Sequence, residues 1–147
     1  MQVPREVQDA LRGDPRVGST EEPAYLLLTT DPDGAPHVCL LSRAQLAADP
    51  RSVRAVVYSA GTRADLQRTG TACLVLVAEG VAHYCTLGVR RTAVAGPLAG
   101  YAMELRGHRR DELPGAQLRA MRYTVTERMP ADEDWATTRR LLDDLGE

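Results

Sequence analysis

Strand-length apolar runs broken by tight-turn signals constrain this chain most. AYLLLTT stops at Asp31-Pro32-Asp33-Gly34, and APHVCLLS resumes immediately after Gly34. Asp, Pro and Gly occupy the first, second and fourth positions that a type I turn favours. A link this short joins only antiparallel neighbours, because a parallel return needs a crossover of a dozen or more residues. SVRAVVY (Ser52 to Tyr58) supplies a third strand, and TACLVLVA, apolar on both faces, reads as a central fourth. Glu79-Gly80 turns that strand into a fifth, from VAHYCTL through RRTAVAGP, with Gly88 marking a bulge or corner. AMRYTVTERM reads as the sixth, with Met121, Tyr123 and Val125 facing one way and Arg122, Thr124 and Thr126 the other.

Short helices punctuate these strands. Pro4 stands at a first helical position, with Val7, Ala10 and Leu11 on one face and Gly13 past the end. Arg43 to Arg51 reads as a helical turn or loop closing on Asp49-Pro50. Thr62 is placed to cap a helix of about two turns that runs through Arg63, Leu66 and Arg68 to Gly70. Leu98 to Gly107 reads as a helix and Arg106 to Gly115 as a polar loop. Pro130 and Asp132 introduce a C-terminal helix with Trp135, Leu142 and Leu145 on its apolar side, Trp135 as a core anchor. The sum is a mainly β chain with flanking helices, a small six-stranded antiparallel barrel.

Length and charge narrow the function. The 147 residues suit one domain over residues 1–147 with a real core. The 18 basic residues are all arginine; lysine, isoleucine, asparagine and phenylalanine are absent, which marks a GC-rich coding sequence and strips arginine abundance of functional weight. Without lysine there is neither a Schiff-base lysine nor a P-loop lysine. A net charge of −2 argues against nucleic-acid binding, and the doublets Arg90-Arg91, Arg109-Arg110 and Arg139-Arg140 do not change that. No apolar stretch is long enough to span a membrane, and MQVPREVQDALRGD lacks a signal-peptide core, so the expected location is the cytoplasm. Cys39, Cys73 and Cys85, odd in number and set in apolar runs, read as reduced core thiols.

Catalytic motifs are scarce. His37, His83 and His108 have no neighbour at metal-ligand spacing, so no metal site is expected. His83 reads as a packed or hydrogen-bonded strand residue and His108 as an exposed loop residue. Ser42 and Ser59 lack a nucleophile-elbow context, and no catalytic residue is assigned. The segment SAGTRADL does carry a chemical possibility, since helix-start amides and the helix dipole favour an anion. Ser59, Thr62 and Arg63 fit a phosphate there, and they fit equally a plain helix cap beside a solvated charge.

The ordered combination resembles the pyridoxamine 5'-phosphate oxidase-like, FMN-binding split-barrel superfamily. It consists of the proline-started helix, the hairpin AYLLLTTDPDGAPHVCLLS, and VRAVVYSAGTRADLQRTGTACLVLVAEGVAHY, from roughly Pro4 to Thr86. The resemblance implies a split β-barrel that works as a homodimer, with FMN in a cleft between subunits and a flavin-dependent oxidation or reduction of a small molecule. Tyr58, Ser59, Thr62 and Arg63 match the family's phosphate loop, and His37, Val38, Cys39, Leu40 and Leu41 the strand against which the flavin ring lies. The chain departs where members acting on pyridoxamine phosphate carry an arginine early in that strand and a lysine near its end; here stand His37 and Ser42. A true pyridoxamine phosphate oxidase is therefore not expected, and Arg43, Arg54 or Arg68 are the candidates to replace the lost charges. The deazaflavin F420, haem, or a cofactor-free dimeric binding module are the alternatives within the same resemblance.

Overall fold

The computed structural model describes residues 1–146. Its elements are α1 (Arg5–Ala10), β1 (Glu22–Pro23), β2 (Tyr25–Thr30), β3 (Pro36–Leu41), β4 (Leu46–Ala48), β5 (Val53–Val57), α2 (Ala60–Thr69), β6 (Thr71–Ala78), β7 (Val81–Ala95), β8 (Leu98–Asp111), β9 (Arg122–Tyr123), α3 (Met129–Asp132) and α4 (Trp135–Leu145). The main sheet is antiparallel and has seven strands, not six, in the order β3-β2-β6-β7-β8-β5-β4. It curls so that Leu41, Leu46, Val53, Leu27, Leu74, Leu87 and Met103 meet in one core. Val7 on α1 and Leu11 just after it are buried in the same core.

The turn chemistry works as read. Asp31 Oδ1 accepts from the amides of Asp33 and Ala35, both at 2.9 Å, and Gly34 sits at φ 83°. At the next hairpin Glu79 and Gly80 both have positive φ, 55° and 79°, as a two-residue link between twisted strands requires.

Several readings need correction. Leu98 to Gly107 is strand, not helix, and β8 runs on through residues read as loop. Its first six residues are all buried, so no alternation marks it as a strand, and its Ala, Leu, Met and Glu content favours helix on propensity alone. Pairing with β5 and β7 overrides that preference. Leu46–Ala48, expected as turn or loop, follows a single 3-10 turn (Arg43–Gln45) and pairs with β5 at the sheet edge. AMRYTVTERM contributes only the two-residue β9, paired to β1 outside the main sheet. Finally, the C-terminal helix is broken in two at Asp134 (φ 47°), whose carboxylate caps α4 through the Thr137 amide. Trp135 is half-buried and its indole N–H donates to Glu133 at 2.9 Å; Leu141, Leu142 and Leu145 carry the packing instead. Pro4 also precedes the first helical residue rather than occupying it. Gly88 does mark a bulge region, with register shifts on both sides of it.

Candidate functional site

Helix α2 organises the chemistry. It is capped by Ser59, whose hydroxyl accepts from the Thr62 amide at 3.4 Å, and it ends at Gly70 in the left-handed conformation. Thr62, expected as the cap, is instead the third residue of the helix and fully buried, with its hydroxyl within hydrogen-bond reach of the Cys39 thiol. The first amides of the helix have no carbonyl ahead of them, so this turn carries the positive end of the dipole.

Two groups of side chains flank that turn. Gly61 and Arg63 lie about 160° apart around the axis at 3.6 residues per turn. On the Gly61 side stands His37, from the edge strand β3. A Cβ placed on Gly61 would come 2.9 Å from His37 Cε1, so the ring lies against bare helix backbone. His37 Nδ1 is 3.0 Å from Asp65 Oδ2, and Thr29 on β2 donates its hydroxyl to the same oxygen at 2.7 Å. Arg68 reaches the other oxygen at 3.3 Å and also bonds the Thr30 carbonyl. The Thr29 hydroxyl first, then His37 and Arg68, hold the Asp65 carboxyl below the ordinary carboxylate range against the opposing effect of burial. Asp65 is therefore an ionised, fully engaged carboxylate at the junction of three elements, and the His37 side chain keeps 36% exposure.

On the other side Arg63 lines a cleft of about 660 Å³ between α2 and the β7–β8 hairpin. Leu66, Val89, Val94, Ala99 and Tyr101 give it apolar and aromatic walls. Arg63 Nε is buried without a partner. Burial pushes the Tyr101 hydroxyl pKa up, and Arg63 opposes the shift.

Of the residues named from sequence, Ser59, Thr62 and Arg63 do share the first turn of α2, and His37 joins them across the hairpin. Val38 and Leu40 point away, 52% and 61% exposed, on the outer face of the sheet beside Leu28 and Leu26. Tyr58 is 64% exposed just before the cap. Cys39 packs partly against the core near Thr62, and burial raises its thiol pKa, so it stays protonated and inert. Of the three arginines proposed as replacement charges, Arg43 is engaged elsewhere with Glu22 and the carbonyls of Arg12 and Asp14, and Arg54 with the Leu142 carbonyl, while Arg68 bonds Asp65 within the His37 cluster. Asp65 and Thr29 were missed. The hairpin register sets Thr29 opposite His37, but nothing local links either to a residue 28 positions downstream of His37.

Elsewhere, His83 is buried as expected, but His108 lies on β8, not on a loop. His83 Nδ1 is 2.9 Å from His108 Nε2, with near-parallel rings. No cluster of three or more His, Cys, Asp or Glu side chains suited to a metal ion exists among the described residues. The three thiols are free, and no described helix is long and apolar enough to cross a membrane.

No family profile matches the chain, and no curated protein matches it in sequence. Solved structures do match in fold. The flavin reductase of styrene monooxygenase from Pseudomonas putida S12 superposes with a TM-score of 0.58 at 9% identity, over 72% of this chain and 88% of that one. An FMN-binding protein from Syntrophomonas wolfei subsp. wolfei gives 0.56 at 10%, over 74% and 85%. An F420 reductase gives 0.51 at 9%, over 61% and 91%.

Proposed function

We propose, for a chain that has the fold of the FMN-binding split barrel, that it binds a phosphate-bearing flavin, FMN, and serves a flavin-dependent oxidation or reduction of a small molecule. The observation that carries the reading is the first turn of α2. Open amides and the Ser59 hydroxyl lie between Arg63, with its unpartnered buried Nε, and His37 on the opposite flank. Buried polar atoms without partners are uncommon, and an anionic group at this helix end supplies the missing acceptor. The residues thus fit the phosphate of the cofactor. The flavin supplies the redox chemistry when bound; the chain supplies anchoring, orientation and an apolar surround.

The second part of the reading is a homodimer closed over the outer face of β3 and β2. Leu40 and Leu26 are paired in register, Leu26 continues to Val75, and Val38 pairs with Leu28, making an apolar strip with two strongly exposed members. Strips of this kind mark interaction surfaces. A second copy there stands beside the strand that the family uses for the ring, where Val38, Cys39 and Leu40 lie.

The test is a fluorescence titration with FMN, riboflavin and F420. FMN is expected to bind and riboflavin to bind more weakly, since it lacks the phosphate. Arg63→Ala is expected to weaken FMN binding by about 1.5–3 kcal/mol, the range for a lost hydrogen bond to a charged group. A protein that takes up no flavin sinks the reading in favour of a cofactor-free binding module.

A further inference from the structure

We propose that the cleft at the C-terminal end of α4, on the outer face of the β7–β8 ribbon, takes a small phosphate-bearing molecule between Arg90 and Arg91 on one side and Arg51 and Ser52 on the other. The site is separate from the cleft beside α2 and stands whether or not the chain binds a flavin. Thr92 and Tyr101, paired in register, line the cleft beside α2, whereas the next pair, Arg91 and Ala102, lines this one. Successive residues of a strand alternate faces, so the two clefts lie back to back across the ribbon.

Two bulges build the site. Val89 is opposite Met103 and Arg91 opposite Ala102, which leaves Arg90 as an extra residue in β7. Val89 packs against the core, and strict alternation without the insertion would turn Arg91 inward with it and leave Arg90 alone outside. The insertion instead brings both side chains to one cleft of about 330 Å³. The second bulge is in β8: Thr86 is opposite Gly107 and Leu87 opposite Leu105, so Arg106 is the extra residue. Its guanidinium lies over Gly88, where any Cβ would run into it, and reaches Glu104 at 3.5 Å. Arginine abundance means little in a chain without lysine, but two insertions that gather three arginines on one face of two strands are a feature of the fold.

Internal pairing leaves a surplus of positive charge. Glu104 is shared between Arg90, at 2.6 Å, and Arg106, and the hydrogen bond from Arg90 above all holds its carboxyl below the ordinary carboxylate range. Asp49 is committed to the turn before β5: it accepts from the amides of Arg51 and Ser52 at 2.7 and 3.0 Å, and Arg54 lies 3.8 Å away. Arg91 donates to the Leu145 carbonyl at the end of α4. Among the described residues that line the cleft or pair with its lining, Arg51, Arg54, Arg90, Arg91 and Arg106 are set against Asp49 and Glu104, five positive charges to two negative. Arg90 and Arg91 commit one nitrogen each to these bonds, and a guanidinium carries five N–H donors, so donors remain for a ligand. Paired guanidinium forks match the oxygens of a phosphate group, and a small cleft with a mostly charged lining suits a compact, polar molecule.

Calorimetric titration with inorganic pyrophosphate at low salt tests this on the unaltered protein, Arg90→Gln and Arg63→Ala. The Arg90 side chain is 65% exposed and Glu104 keeps Arg106, so Arg90→Gln leaves the fold intact. Pyrophosphate is expected to bind the unaltered protein, more weakly as salt is added, and to bind Arg90→Gln about 10- to 100-fold more weakly, the effect of losing a hydrogen bond to a charged group. Arg63→Ala, altered in the cleft beside α2, is expected to keep the binding that Arg90→Gln loses. Citrate, a tricarboxylate, is expected to bind more weakly than pyrophosphate. Absence of binding at millimolar pyrophosphate overturns the proposal, and so does equal binding by Arg90→Gln. Binding lost in Arg63→Ala but retained in Arg90→Gln places the anion beside α2 and overturns it as well. Citrate binding as tightly as pyrophosphate overturns the phosphate class.

Discussion

Gly61→Ala isolates the contact between α2 and the edge strand. Gly61 has ordinary helical backbone, so alanine there is favoured intrinsically, by at most about 0.5–1 kcal/mol. Its Cβ, however, falls 2.9 Å from His37 Cε1, closer than carbon atoms pack, while both ring nitrogens stay at an ordinary 3.7 Å. The ring is the movable partner, because its side chain is half-exposed while Gly61 is held in the helix. Moving it breaks the 3.0 Å bond to Asp65, a hydrogen bond to a charged group worth about 1.5–3 kcal/mol. The carboxylate itself keeps Thr29 and Arg68, so no further penalty for a stranded charge is added. The net expectation is a loss of about 0.5–2.5 kcal/mol, which lowers the melting temperature by roughly 1–10 °C for a domain of this size. Thermal unfolding of the variant, together with the His37 ring nitrogen shifts, checks both halves. An alanine variant as stable as the parent or more so, with the His37–Asp65 hydrogen bond intact, refutes the view that Gly61 is bare in order to seat the ring.

Buried His83, paired with His108, makes stability depend on pH. Burial first, then His108 and Arg110, lower the pKa of His83 from 6.5, so below 6.5 the unfolded chain binds more protons than the folded one. The stability linked to His83 is therefore complete above 6.5 and is lost as pH falls from there through the lower folded value. The loss linked to Asp65, whose pKa is lowered from 3.8, begins only near that value as pH falls. Urea midpoints between pH 7.5 and 5 should fall in the parent and change less in His83→Gln; parallel curves contradict the assignment. Gly100→Val tests the docking of α4, since even a Cβ at Gly100 lies 2.8 Å from Leu145 Cδ1 and 3.4 Å from Leu141 Cβ. Overpacking should cost about 1–3 kcal/mol in urea unfolding, and a neutral effect means α4 rides away from β8 freely. Leu40→Glu, on the exposed strip, is expected to leave secondary structure intact and to yield monomers in sedimentation; an unchanged mass removes this face as the interface.

Those parts of the fold whose causes are local can be read from the residues. Asp31 to Gly34 carries its own turn, capped by its own carboxylate, and so the β2–β3 hairpin was legible, while its register came with the structure. Ser59 to Gly70 carries helix-start and helix-stop residues, and the placement of Ser59, Thr62 and Arg63 on one turn followed, although which hydroxyl caps that turn did not. The rest follows from contacts between elements distant along the chain. Leu98–Asp111 is a strand because β5 and β7 satisfy its backbone on both sides, a condition absent from any window of sequence. Leu46–Ala48 becomes an edge strand by pairing with β5 just beyond a four-residue bend. Above all, the partnership of His37, Asp65 and Thr29 arises where two strands and a helix converge. Hydrogen bonds act over about 3 Å in space and are blind to separation along the chain, so the carboxylate that holds the His37 ring lies where no spacing rule reaches.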